Sequence, residues 1–336
     1  MARTLAPTAP SLRTNDTSWR TGLLVLAALA ILGLGLRISG AQGIAAIQNF
    51  LLVFGSLLVE ALPFIVLGAA VSALIEVFIP ASVFARLARL PQAVQMPAAG
   101  MGGFAFPVCE CGSVPVARRL VAKGLAPAAA VTFMLAAPIL NPVVLAATFI
   151  AYRGRDVLVP MVVGRAFLGL AVAMAVGWIV ATKSRTELLR APADDHHDEH
   201  ADEGKWPRYF GQLASDFTML AKYLVIGGAV ASALQTFLPQ DVIGRVAGTP
   251  VLDILAMMVL AAMLSLCSES DAFVAASFVQ FGPAAQLGFL VAGPMIDAKL
   301  GALYAGTFSR GFVRTVAVAV FAVTLAGCLW IQVLFG

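Results

Sequence analysis

The sequence predicts an all-α polytopic membrane protein, and three observations carry that prediction. Of 336 residues, 60% are hydrophobic and only 12% charged, with a mean hydropathy of +0.91, whereas soluble chains carry roughly a quarter charged residues. The apolar residues gather in runs long enough to cross a hydrocarbon core of ~30 Å. Those runs form two similar series, each broken by a polar stretch. The expected architecture is two inverted repeats with interrupted (re-entrant or broken) helices and about 8–9 hydrophobic segments.

Taken in order, residues 1–20 are polar, hold Arg3, Arg13 and Arg20, and read as a disordered cytoplasmic N-terminus. Residues 21–40 hold the first transmembrane span; a signal-peptide core is the alternative, but basic residues precede it and further spans follow. The first membrane repeat is expected over 45–182. It opens with a long apolar helix, Ile47 to Ile79, carrying Glu60 and Glu76 and interrupted at Pro63. At ~1.5 Å per residue that helix overshoots the bilayer core. Then comes Gly102–Leu120, where Pro107, Gly112 and Pro115 argue against continuous helix. Two spans follow, Leu125 to Tyr152, holding Pro138 and Asn141-Pro142, and Val157 to Ala181. The His-rich and acidic linker 183–208 reads as a solvated cytoplasmic connection, with weak metal chelation by its histidines as the alternative. The second repeat is expected over 209–336.

The repeat rests on matched blocks. Leu67–Val71 falls on Ile226–Val230, which sets Phe78 on Phe237 and Pro80 on Pro239. Cys109-Glu110-Cys111-Gly112-Ser113 falls on Cys267-Ser268-Glu269-Ser270-Asp271, and Pro138–Asn141 on Pro294–Asp297. Chance similarity between Ala/Gly/Leu-rich helices does not readily produce two polar breaks and two Pro-x-x-Asn/Asp sites in matching places. Interrupted segments at corresponding positions point to a transporter's binding site.

Charge sets the topology. If every apolar segment crosses, Lys and Arg divide almost evenly between the two faces. If the two broken segments enter and leave on one side, only Arg37, Arg153, Arg155 and Arg245 remain outside. The positive-inside rule favours the second arrangement. Each repeat then has an odd number of crossings, so the two are inverted. Basic residues confined to short loops suit a lipid bilayer and exclude a nucleic-acid partner.

The candidate translocation residues are Cys109, Glu110, Cys111, Gly112, Ser113, Asn141, Cys267, Ser268, Glu269, Ser270, Asp271 and Asp297. Ser113 and Asp271 suit helix N-caps, and two helix N-termini facing one cavity suit a polar or anionic group. Glu110, Glu269, Asp271 and Asp297 lie in apolar sequence, where a charge needs a partner, a proton or water. They are candidates for proton coupling; a static pair between Asp297 and Lys299 is the plainer reading of that site. Cys109 and Cys111, with Cys267 if the breaks meet, suit a soft, thiophilic solute. Buried cysteine that merely packs is the alternative, and it is the reading adopted for Cys328. No catalytic residue, resident metal or cofactor is expected, and no nucleotide-binding loop is present.

The Cys109–Pro115 and Ala137–Pro142 blocks and Ser265–Phe273 resemble the bacterial predicted-permease family that includes the organoarsenical efflux permeases. The resemblance runs from about Asn49 to Phe312. It implies an inner-membrane permease of about eight crossings that extrudes trivalent organoarsenicals in characterised members. The expected function is therefore efflux of a small solute, with protons as a possible coupling ion and a homo-oligomer or partner subunit allowed. The rivals are a thiol-dependent membrane redox enzyme and a metal-binding membrane subunit of a larger complex.

Overall fold

Proline and a few polar side chains cut an almost wholly helical chain into segments. The computed structural model describes residues 45–87, 89–105, 108–181, 204–237 and 250–335. The N-terminal tail and first span, Phe106 and Pro107, most of the His-rich linker, Pro239 and Arg245 lie outside those residues. Everything that follows belongs to one compact unit, Ala46–Gly336.

The first half contains α1 (Ala45–Phe78), the short α2 (Ala81–Leu87), α3 (Gln92–Ala105), α4 (Glu110–Ala122), α5 (Pro127–Leu140), α6 (Pro142–Ala151) and α7 (Leu158–Val180). The second contains α8 (Lys205–Phe237), α9 (Pro250–Leu264), α10 (Asp271–Ser277), α11 (Pro283–Ala292), α12 (Ala298–Thr307) and α13 (Arg310–Phe335). Each half thus runs long helix, broken hairpin, helix pair, long helix. Five helical stretches are long and apolar enough to cross a membrane: Ile47–Phe78, Pro127–Ala151, Leu158–Val180, Lys205–Thr236 and Arg310–Val333. The protein is an all-α, multi-pass membrane protein.

The breaks have local causes. A residue before proline is driven out of the helical region, and Asn141, ahead of Pro142, takes φ −56° and ψ 127°. Its Oδ1 accepts the Val143 amide at 2.9 Å and so caps α6. Asp297 occupies the matching place in the second half and accepts the Leu300 amide through Oδ1 at 2.6 Å. Cys109 is extended (φ −73°, ψ 175°), which ends one helical direction and begins α4. Ser265 holds φ 47°, unusual for a residue with a Cβ, and its Oγ accepts the first amide of α12, from Ala298, at 3.1 Å.

Three expectations need correction. Pro63 does not interrupt α1, which passes through it as one helix. The pentapeptide Cys109–Ser113 is not unwound throughout: helix resumes at Glu110, whose acidic side chain in the first turn favours a helix N-terminus. Neither Ser113 nor Asp271 is an N-cap. Ser113 lies inside α4 and donates to the Glu110 carbonyl at 2.9 Å, while Ser270 precedes α10 and Asp271 is its first residue.

The two halves interlock. Within the first, α3, α5 and α7 pack on one another; within the second, α9, α11 and α13 do the same. Between them, α4 packs on α12 and α10 on α6, while α7 packs on α13. The α3–α4 hairpin returns to the end of the bundle at which α1 finishes. There Lys123, the C-cap of α4, donates to the carbonyls of Ile75 (2.8 Å), Glu76 (2.7 Å) and Ile79 (2.6 Å). Partial burial lowers the Lys123 pKa from its ordinary value. The α9–α10 hairpin finishes beside the α6–α7 turn, where Arg155 donates to the Ala276 carbonyl at 2.9 Å.

Candidate functional site

The two breaks meet. Ser268 Oγ donates to Glu110 Oε2 at 2.9 Å across 158 positions of sequence, so the residues matched by the repeat are in direct contact. Glu110 is 1% exposed. Its other oxygen, Oε1, lies 3.5 Å from Lys299 Nζ, and Lys299 also approaches Asp297 Oδ2 at 3.7 Å. A single ammonium, 2% exposed, is thus shared by two carboxylates from different halves. Both contacts are longer than a well-formed charge-assisted hydrogen bond of about 2.7–2.9 Å.

A second charged group sits beside the first. Arg165, in the middle of α7, is fully buried and holds Asp271 with both prongs of its guanidinium: NH1 to Oδ1 at 2.9 Å and NH2 to Oδ2 at 2.8 Å. NH1 also donates to Thr148 Oγ1 at 2.9 Å, and NH2 to the Ser268 carbonyl at 3.1 Å. This bidentate fork is the strong form of the interaction. It ties α6 and α7 of the first half to the break of the second. Both oxygens of Asp271 are therefore engaged by one guanidinium.

The thiols share this neighbourhood. Cys109, Cys111 and Cys267 are free and buried. The Cys109 and Cys111 thiols lie beside one another, with Cys267 and the Lys299 ammonium close by. Among the described residues, no group of three or more His, Cys, Asp or Glu side chains is placed to hold a metal ion. Cys111 and Lys299 instead border a small crevice completed by Ile65, Leu220, Leu224 and Leu303. Such a crevice offers one soft donor and one cation among apolar walls.

The remaining candidates fall at the edge. Ser270 donates to the Cys267 carbonyl at 3.1 Å and approaches Glu60 Oε1 at 3.3 Å. Glu269 is half-buried, and its Oε2 has no hydrogen-bond partner among the described residues. Gly112 allows α4 to lie directly on α1: a Cβ on Gly68 would stand 2.4 Å from the Gly112 Cα. Asn141 serves as the cap of α6. Cys328 is buried near Gly288, between α13 and α11, away from the breaks.

A family model described as a predicted permease matches residues 46–333. The chain belongs to that family. This permease is 35% identical over 284 residues to the "UPF0718 protein YcgR" of Bacillus subtilis, covering 83% of the chain and 96% of the relative. It is 32% identical over 274 residues to a Streptococcus mutans protein named "Putative two-component membrane permease complex subunit", covering 80% and 90% respectively. No solved structure matches.

Sequence reasoning about the permease missed Arg165 and gave Lys299 only a local role. The signal for Arg165 was present: it is the one charged residue in Leu158–Val180. A charge in the middle of an apolar span is costly and calls for a buried partner.

Proposed function

We propose that this permease is a secondary transporter of two inverted repeats, 45–182 and 209–336, joined by the 183–208 linker. It moves a small thiophilic solute, in the favoured case a trivalent organoarsenical, out across the cytoplasmic membrane. The observation that carries the reading is the Glu110–Ser268 contact at 2.9 Å. It brings the two sequence breaks to one place, beside three thiols. The inverted arrangement is supported by the hairpins, which return to different ends of the bundle: one beside the close of α1, the other beside the α6–α7 turn. The end at which α1 finishes carries Arg86, Arg118, Arg119 and Lys123, which favours the cytoplasm for that end and for the linker that leads into α8.

With no nucleotide-binding loop in the sequence, the driving force is an ion gradient or a partner subunit. A proton gradient fits best. Asp271 is fully engaged by Arg165, whereas Glu110 and Asp297 share one lysine at 3.5 and 3.7 Å and Glu269 has an unpartnered oxygen. The name of the Streptococcus mutans relative supports a second reading, in which the chain works as one subunit of a two-component complex.

Everted vesicles test the main reading. Vesicles containing the protein should accumulate methylarsenite when a proton gradient is imposed and lose it when the gradient is collapsed. The Cys109→Ser/Cys111→Ser variant should lose most of that uptake. Uptake equal to that of vesicles lacking the protein would overturn the transporter reading. Full uptake by the double variant would remove the thiols from the mechanism.

A further inference from the structure

Three helices run from the crevice toward the end at which α1 finishes, and each carries a polar residue on the crevice-lining face. On α1 the lining residue is Ile65, and Ser72 follows seven positions later. On α4 it is Cys111, and Arg119 follows eight later. On α8, read toward its N-terminus, Leu224 and Leu220 lead to Asp216. Spacings of four, seven and eight keep residues on one helix face. At ~1.5 Å per residue the polar layer lies roughly 6–12 Å beyond the crevice lining.

The polar residues close on one another. Ser72 Oγ donates to Asp216 Oδ2 at 2.7 Å, Gln212 Nε2 donates to Asp216 Oδ1 at 2.9 Å, and Arg119 NH2 reaches Oδ1 at 3.2 Å. Arg119 NH1 approaches Glu76 Oε2 at 3.8 Å. Asp216 is 5% exposed and Arg119 9%. Toward the other end the breaks are covered less completely: Glu60, Glu269 and Ser270 are half-buried, and one long contact of 3.3 Å links Ser270 to Glu60.

We infer that Arg119 and Asp216, supported by Ser72, Gln212 and Glu76, form a gate that seals the crevice at the end where α1 finishes and α8 begins. The gate is shut in this structure. The inference rests on the transporter reading and adds the residues that control access to its site. The chemistry suits reversible closure. A buried ion pair gains little over its desolvation cost. When the helices part and water enters, each of these groups recovers its hydration. An apolar seal would gain no such compensation on opening. The three helices belong to different parts of the fold, α1 and α4 to the first half and α8 to the second, so separating the halves must break this layer.

Cys111 serves as a native reporter. Replacing Cys109, Cys267 and Cys328 by serine leaves it as the sole thiol, and a charged, membrane-impermeant maleimide is applied to inside-out and right-side-out vesicles. From the gated face the sole-thiol protein should label slowly. Asp216→Asn and Arg119→Gln should each label about tenfold faster from that face, because an uncompensated buried charge favours the opened, hydrated state. The exchanged pair Arg119→Asp/Asp216→Arg should restore slow labelling, a rescue that general loosening of the fold does not produce. Ser72→Ala, which removes one hydrogen bond and no charge, should give a smaller increase and keeps the test open if a charge variant fails to fold. Equal rates across the sole-thiol protein and all variants would overturn the gate, as would acceleration that is the same from both faces or a charge exchange that gives no protection. Methylarsenite uptake by the unaltered protein is measured alongside. Its absence counts against the transporter reading, whereas unchanged labelling with intact uptake counts against the gate alone.

Discussion

Arg165 is the residue on which the charged centre depends. Its guanidinium is fully buried and makes four hydrogen bonds to three residues. Removing one member of a buried ion pair strands the other, at a cost of about 3–5 kcal/mol, whereas replacing both by neutral groups costs far less. Arg165→Gln should therefore lower the thermal unfolding midpoint in detergent sharply, and Arg165→Gln/Asp271→Asn should recover much of the loss. A single variant as stable as the parent would show that the pair carries no such load. The carboxylate partner lies 106 positions away. Sequence could announce that Arg165 needs an anion but not which one, because no short-range spacing encodes a contact between α7 and the second break. For Lys299 the local partner, Asp297, was legible at two positions' distance, and the distant one, Glu110, was not.

At the scale of the element, small residues decide how closely the helices approach. In lipid, helix association depends on close packing and interhelical hydrogen bonds, since no hydrophobic drive separates helix from solvent. Gly68 and Gly227 occupy matching places in the two halves, and both are contact points. A Cβ on Gly68 would stand 2.4 Å from the Gly112 Cα, and one on Gly227 would stand 2.8 Å from the Lys299 Cα. Gly55, on the same α1, has nothing within 4 Å of such a Cβ. Gly68→Ala should destabilise by about 1–3 kcal/mol, the usual cost of overpacking. Gly55→Ala should be neutral or stabilising by up to ~1 kcal/mol, the ordinary helical preference for alanine. Unfolding midpoints of the two variants compare them directly. The like order of elements in the two halves was legible because these glycines, the Cys-rich blocks and the Pro-x-x-Asn/Asp sites recur in sequence. The extent of the breaks was less so. Polar residues in apolar sequence signal an interruption, but where helix resumes depends on one backbone, that of Cys109. With Cys109 extended, Glu110 and Ser113 both fit within the first turns of α4.

For the whole molecule, two halves of like element order cross-pack through their short helices, α4 on α12 and α10 on α6. The broken hairpins consequently share one centre, and the charged groups of each half are satisfied by the other: Glu110 by Ser268 and Lys299, Asp271 by Arg165. Neither half contains the whole charged cluster. Charge counting on the sequence favours two hairpins that each enter and leave on one side, since that arrangement gathers nearly all the basic residues on one face. The central claim is that these hairpins open toward opposite sides of the membrane while their tips meet. Sidedness of labelling tests it most directly, with all four native cysteines replaced by serine and single cysteines placed at Ala93, on the exposed start of α3, and at Val279, which is 74% exposed after α10. An impermeant maleimide should reach Ala93→Cys only from the cytoplasmic face and Val279→Cys only from the opposite face. Labelling of both from the same face would contradict the account.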